Sequence, residues 1–430
     1  MNPRAVRAWM MYDWANSAFA TTMMAAVLPI FYIEVASKGL SSSTSASYWG
    51  LTQAAGMLLV AILAPVLGAA ADYAGKKMFF LRGFSYLGIA ASFLFVFIGQ
   101  GDYLAASLLF VLGTVGFSGG NSFYDALLPD LVPEEQKREY ISSKGFAYGY
   151  VGGGLLLVVN LLMIQKPGLF GLPDGEAGTR LAFASVAVWW LLFSLPLFRH
   201  VKDRTADAPI PFRQYTRMGF SRTWETLKSL KQYPQLLKFF LAYWFFNDGI
   251  NTIITMATAY GKAIGIGTSD LIMALLITQF VGIPFTLLFG KMGERLGAKP
   301  ALYISLSIYL LIVLLGYFMT SATHFYLLAV MVGFVQGGSQ AVARSLFSRL
   351  VPADRTAEFF GFLSVSGKFS SMVGPAVFAA TGLITGSSRY GILALALFFL
   401  AGIALLRTVN LEQGTLEAKK AAAGSAAPSC

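Results

Sequence analysis

Charged side chains are scarce in this chain of 430 residues. Asp, Glu, Lys and Arg make up 12% of it, against about a quarter in an ordinary soluble domain. A soluble protein this poor in charge could not cover its own surface. Cysteine is nearly absent: the one example, Cys430, is the last residue. An internal disulfide and a thiolate metal cluster are therefore excluded. Histidine occurs only as His200 and His324, far apart. That weakens any metal-enzyme reading, and neither a metal nor a cofactor is expected. No Gly-x-x-x-x-Gly-Lys-Ser/Thr run appears, which disfavours an ATP-driven pump. No basic soluble domain is present to hold nucleic acid. Arg4 and Arg7 precede an apolar run that continues to about Ile33, too long for a cleavable signal.

Hydrophobic residues, by contrast, fill 56% of the chain even without glycine. About 20 apolar residues cross a bilayer, and the apolar runs are longer than the alternating strands of a membrane barrel. The sequence predicts an all-α integral membrane protein with twelve transmembrane helices, at 9–36, 47–71, 78–99, 103–128, 141–165, 179–198, 236–260, 269–290, 300–320, 323–347, 359–384 and 389–408. Of its 32 Lys and Arg, 25 fall in segments on one side, 5 fall on the other, and Arg344 and Lys368 lie inside spans. The inside-positive rule then puts both termini in the cytoplasm, in a multi-pass protein of the cell (inner) membrane. The expected organisation is an N-terminal six-helix half (1–198), a cytoplasmic linker (199–235), a C-terminal six-helix half (236–408) and a disordered tail (409–430). Within the linker, the stretch around Ser221–Leu230 reads either as an amphipathic helix on the anionic inner leaflet or as a solvated connection.

The two halves repeat one another. Asp13-x-x-Asn16-Ser17 in the first span matches Asp248-x-x-Asn251-Thr252 in the seventh. Gly68-x-x-x-Asp72-x-x-Gly75-Lys76 after the second span matches Gly290-x-x-x-Glu294-x-x-Gly297-x-Lys299 after the eighth. Leu131-Val132-Pro133 after the fourth matches Leu350-Val351-Pro352 after the tenth. Six helices return the chain to the same side, so the repeats are parallel. A substrate site is expected between them near mid-membrane.

Four spans also carry polar residues at helical spacing. These are Asp13, Asn16 and Ser17 in the first; Ser118, Asn121, Ser122 and Asp125 in the fourth; Asp248, Asn251, Thr252 and Thr255 in the seventh; and Gln336, Ser339, Gln340 and Arg344 in the tenth. Lys368 is a further embedded cation in the eleventh. Charges inside hydrocarbon are expensive and usually face a cavity. Asp13, Asn16, Asn121, Asp125, Asp248, Asn251, Gln336, Gln340, Arg344 and Lys368 are therefore the candidate substrate and coupling residues. Bracing of helix ends, a structural Asp125–Arg344 pair and snorkelling of Lys368 are the competing accounts.

Gly68–Lys77, GAAADYAGKK, resembles the loop signature of major facilitator transporters, and Gly290–Lys299 resembles its degenerate second copy. Tyr12–Phe19, YDWANSAF, is similar to the first-helix signature of the vacuolar-effluxer-like family, which includes a fungal vacuolar amino-acid exporter and bacterial relatives. Phe123–Pro133 and Gly337–Pro352 resemble that family too. The resemblance implies the major facilitator fold, with spans one, four, seven and ten lining the cavity. It also implies that Asp72, Gly75 and Lys76, with Glu294, Gly297 and Lys299 in the second copy, form gating loops that latch the cytoplasmic side.

Together these features point away from an enzyme. They point to a secondary active transporter moving a small solute by alternating access. The solute is amino-acid-like by resemblance, protons are the expected coupling ion, and a monomer in the lipid bilayer is expected. A lipid or lysolipid flippase, or a membrane sensor that does not transport, is the alternative.

Overall fold

The structure, a computed structural model, describes residues 2–73, 76–132, 135–203, 212–352 and 355–425, with the backbone alone described at some helical positions. Among the described residues every regular element is helical. The first span opens as α1 (Pro3–Ala18). Asn2 caps it by accepting the Arg4 N–H at 3.0 Å, and Pro3 sits where no intrahelical donor is needed. The span widens to π-helix over Phe19–Ala26, returns to α2 (Val27–Phe31), and widens again over Tyr32–Ala36. Pro29 accounts for part of this: it has no N–H for the carbonyl of Ala25, four residues before it.

Then follow α3 (Ser42–Tyr73), α4 (Lys77–Leu94), α5 (Tyr103–Leu131), α6 (Glu135–Gln165), α7 (Gly175–His200), α8 (Phe212–Ser229), α9 (Pro234–Ala263), α10 (Thr268–Leu296), α11 (Ala298–Tyr317) and α12 (Ala322–Leu350). The eleventh expected span is broken into α13 (Thr356–Ser370) and α14 (Val373–Thr385). Pro375 explains the break, because it cannot donate to the Ser371 carbonyl one turn earlier. The chain ends in α15 (Ser388–Ala394), α16 (Ala396–Arg407) and α17 (Leu411–Ser425).

Nine helical stretches among the described residues are long and apolar enough to cross a membrane. They match the expected spans one to six, nine, ten and twelve. The other three expected spans coincide with α9, α10 and the α13–α14 pair. In α9 the apolar pattern is diluted by Lys238, Asn247, Asp248, Asn251 and Lys262.

The chain packs as two compact units. The first is Met1–Gly219 with Thr255–Ile272; the second is Phe220–Ile254 with Met273–Cys430. In the first, α1 lies against α6 and α7, α4 against α5 and α7, and α3 against α5. Its core at the α1 start joins Trp9, Tyr12, Leu81, Phe123, Tyr124, Leu127 and Leu197. In the second, α11 packs on α12, α15 and α16, and α14 on α15.

Two details correct the expected organisation. The stretch Thr255–Ile272 groups with the first unit, although the sequence assigns it to the C-terminal half. The Thr258 hydroxyl donates to the Ala25 carbonyl at 2.6 Å, and Lys262 pairs with Glu34. The tail expected to be disordered forms α17 over Leu411–Ser425 instead. Gln235 holds it at three points: its Oε1 accepts the Asn410 N–H at 2.8 Å, its Nε2 donates to Gln413 Oε1 at 3.1 Å, and its backbone N–H donates to Glu417 at 3.4 Å. The tail is rich in Ala and Lys beside its Gly and Ser, and those two are good helix formers once an anchor exists.

Candidate substrate and coupling site

In the first unit the polar stripe of α1 meets α5 and α6. Asn16 is buried, and its Nδ2 donates to Asn121 Oδ1 at 2.5 Å. Asp13, half-buried one turn earlier, faces α6 at a glycine. A Cβ placed on Gly145 would lie 3.1 Å from Asp13 Oδ2, 3.0 Å from the Trp9 ring and 3.2 Å from the Tyr124 hydroxyl. An aromatic cluster fixes this corner. Trp9 stacks on Tyr124 with centroids 4.3 Å apart and donates to the Tyr124 carbonyl at 2.9 Å; Tyr12 lies 5.0 Å from the same ring and bonds Ser85 at 2.8 Å. Asp125, further along α5, is exposed.

In the second unit Asp248 is 2% exposed and sits where α9 crosses the break between α13 and α14. Its Oδ2 accepts the Gly374 N–H at 2.8 Å, in the first turn of α14, and its Oδ1 accepts the Thr252 hydroxyl at 3.4 Å. The carboxylate thus meets the positive end of a helix inside a span. Asn251 Nδ2 donates to Ser371 Oγ at 3.1 Å, and Asn247 Nδ2 to Ser370 Oγ at 3.5 Å. Lys368 is half-buried in the last turn of α13, where a cation complements the dipole. On α12, Gln336 is half-buried, while Gln340 and Arg344 are exposed.

The structure therefore brings Asn16 to Asn121, and Asn251 to the α13 end. Each matched aspartate lies where the first helix of its half crosses the fifth. Asp125 belongs to the first unit and Arg344 to the second.

Of the gating-loop residues, Gly75 and the side chains of Asp72 and Glu294 lie outside what the structure describes. Lys76 is exposed just before α4. Its neighbour Lys77 makes the contacts: 2.8 Å to Asp130 Oδ2 and 2.8 Å to the Ala126 carbonyl, tying α4 to the end of α5. Asp203 accepts the N–H groups of Met78 and Phe79 at 2.6 and 3.1 Å, and Arg82 donates to the Phe198 carbonyl. The second half has a counterpart. Gly297 adopts φ +92° before α11, and Lys299 donates to the carbonyls of Val409 at 2.5 Å and Arg407 at 3.4 Å. In both halves a basic side chain early in the third helix satisfies carbonyls at the end of the sixth.

Sequence reasoning passed over several contacts. Thr258 donates to the Ala25 carbonyl, for which Pro29 supplies no N–H; a proline four residues on was the signal. Lys262 pairs with Glu34 and donates to Thr268 at 3.2 Å. Buried Asn160 donates to Thr22 at 3.1 Å and accepts from Ser185 at 2.8 Å. Its signal was a lone amide in the run LLLVVNLLMI. The aromatic residues beside the stripes divide: Tyr12, Tyr124 and Phe246 are core, whereas Trp244 and Phe245 face outward at 37% and 41% exposure.

Apolar helices in two units, with polar stripes on α1, α5, α9 and α12, define a multi-pass membrane transporter of the major facilitator type. The fold agrees: the structure of the nucleoside transporter NupG superposes with a TM-score of 0.67 at 13% identity, covering 96% of this chain and 99% of that one. At the level of sequence, the family model described as "Vacuole effluxer Atg22 like" matches residues 1–419, and the chain belongs to that family. The uncharacterized MFS-type transporter YxiO of Bacillus subtilis (strain 168) is 38% identical over 412 residues, 95% of each chain. Autophagy-related protein 22 of Eremothecium gossypii is 28% identical over 437 residues, 92% of this chain and 82% of its own length. The family is thus one of effluxers, and its relative YxiO carries the description of a transporter rather than an enzyme.

Proposed function

We propose that the chain is a secondary active transporter. It moves a small amino-acid-like solute by alternating access, with Asp248 as the principal coupling carboxylate and Asp13 in support. The observation that carries this reading is the setting of Asp248: a carboxylate 2% exposed, held by the Gly374 N–H and the Thr252 hydroxyl at an interrupted span. A full charge buried among neutral donors is costly to keep. A proton or the ammonium group of a solute would neutralise it. Interrupted helices are where many secondary transporters gather backbone groups for ligands and ions. Membership of the effluxer family supports an amino-acid-like solute.

Asn16, Asn121, Asn251, Gln336 and Gln340 are proposed as polar contacts for the solute. Asp125, Arg344 and Lys368 are proposed as charges that pair as the protein changes state. The protein lies in the inner membrane with both termini in the cytoplasm, and the loops around Asp72 and Glu294 serve as latches on that side.

The test is uptake of labelled amino acids into proteoliposomes under an imposed pH gradient. Accumulation that collapses when the gradient is dissipated is the expected result. Movement of labelled lipid without any solute would replace the reading with a flippase, and movement of neither would replace it with a sensor.

A further inference from the structure

The linker helix carries an exposed surface that lies outside the proposed substrate and coupling residues. Helix α8 holds exposed Phe220, Trp224 and Leu227, at 44%, 57% and 41% exposure. At 3.6 residues per turn they fall within an arc of about 60°. Gly219, Thr226 and Leu230 are buried, on an arc centred about 110° away. That second face is the anchored one. Gly219 abuts the Pro65 carbonyl, near the end of the apolar span Ser42–Leu67, and Ser229 Oγ accepts from Arg355 at 3.0 Å. Gly219 is thus held within the first unit and Ser229 within the second, and α9 starts five residues after α8 ends.

Charge follows the apolar stripe. The stretch from Phe212 to Gln232 contains Arg213, Arg217, Arg222, Lys228 and Lys231 against the single carboxylate Glu225. Exposed Arg217, Lys228 and Lys231 lie on or beside the aromatic sector, and the Lys228 ammonium sits 5.6 Å from the Trp224 ring centroid. Glu225 is turned aside and accepts from Ser221 at 2.9 Å. Aromatic and leucine side chains flanked by basic ones suit a helix lying in a headgroup layer. The rings enter the acyl boundary, and the cations stay with the phosphates.

We propose that the exposed Phe220–Trp224–Leu227 face of α8 docks on an anionic lipid surface, with Arg217, Lys228 and Lys231 contacting the headgroups. The docking would hold the linker against the inner leaflet and so constrain how far the chain segments on either side of it can move.

Site-directed spin labelling tests this in the full chain. Leu227→Cys and Trp224→Cys are each made in a Cys430→Ser background, with Glu225→Cys as the reference. Each protein is placed in nanodiscs rich in phosphatidylglycerol or made of phosphatidylcholine alone. In phosphatidylglycerol the labels at 224 and 227 should be several-fold more accessible to oxygen than to a water-soluble nickel reagent, with residue 225 showing the reverse. In phosphatidylcholine, or with Lys228→Gln and Lys231→Gln added, both labels should return to water. Water exposure at 224 and 227 in every bilayer would overturn the proposal and leave the face to a soluble partner. Equal depth in both lipids, or protection from both reagents, would overturn it as well.

Discussion

What surrounds a single charged side chain decides its work in this protein. Lys76 and Lys77 are adjacent in the loop signature, yet among the described residues it is Lys77 that is paired, with side-chain exposures of 19% for it and 27% for Asp130. A half-buried pair with an added carbonyl contact contributes on the order of 1 kcal/mol. Lys77→Ala should therefore destabilise the protein by about 1 kcal/mol, read in nanodiscs as a lower thermal unfolding midpoint. Lys76→Ala should stay within about 0.5 kcal/mol of the parent. Equal effects would contradict the assignment. At this scale the sequence was legible where a stripe met a stripe: Asn16 and Asn121 were both placed by helical spacing, and they bond. It was not legible where the partner is a backbone group. The donor to Asp248 is the Gly374 N–H, and only the break in the helix frees it.

Among elements, small residues set how closely helices approach, because lipid supplies no hydrophobic drive between them. The glycines of α6 show this. A Cβ on Gly149 would lie 2.6 Å from Ser17 Oγ, and one on Gly152 would lie 2.6 Å from the Trp14 carbonyl, whereas Gly154 faces open space. Gly152→Ala should cost about 1–3 kcal/mol by forcing α1 and α6 apart. Gly154→Ala should be neutral or stabilising by up to about 1 kcal/mol, since it removes only backbone freedom. Thermal stability measured side by side would separate them, and a loss at Gly154 matching that at Gly152 would contradict the packing. Nothing in the residue order separates Gly152 from Gly154. Composition marks a glycine-rich helix, while rotation decides which glycines face α1. The same holds for α17: its residues permit a helix, but Gln235, far away in sequence, anchors it.

For the whole molecule, most of the architecture was readable because membrane crossing imposes length and apolarity on nearly every helix. The expected spans coincide with helices along the chain, and the matched aspartates sit at equivalent crossings. What escaped the sequence was the irregular backbone: the π-helical parts of the first span and the interruption of the eleventh. A proline contributes to each, Pro29 to part of the first and Pro375 to the second, together with what satisfies the carbonyl it abandons. The central claim concerns Asp248, beside that interruption. Asp248→Asn is nearly isosteric, and its side-chain oxygen can still accept the Gly374 N–H, so the helix break should persist while the charge is lost. The direct measurement compares the parent and Asp248→Asn in proteoliposomes for gradient-driven accumulation and for exchange at equal solute. The variant should lose accumulation and its pH dependence while retaining exchange. Accumulation with the parent's pH dependence would contradict the account and remove Asp248 as the coupling group.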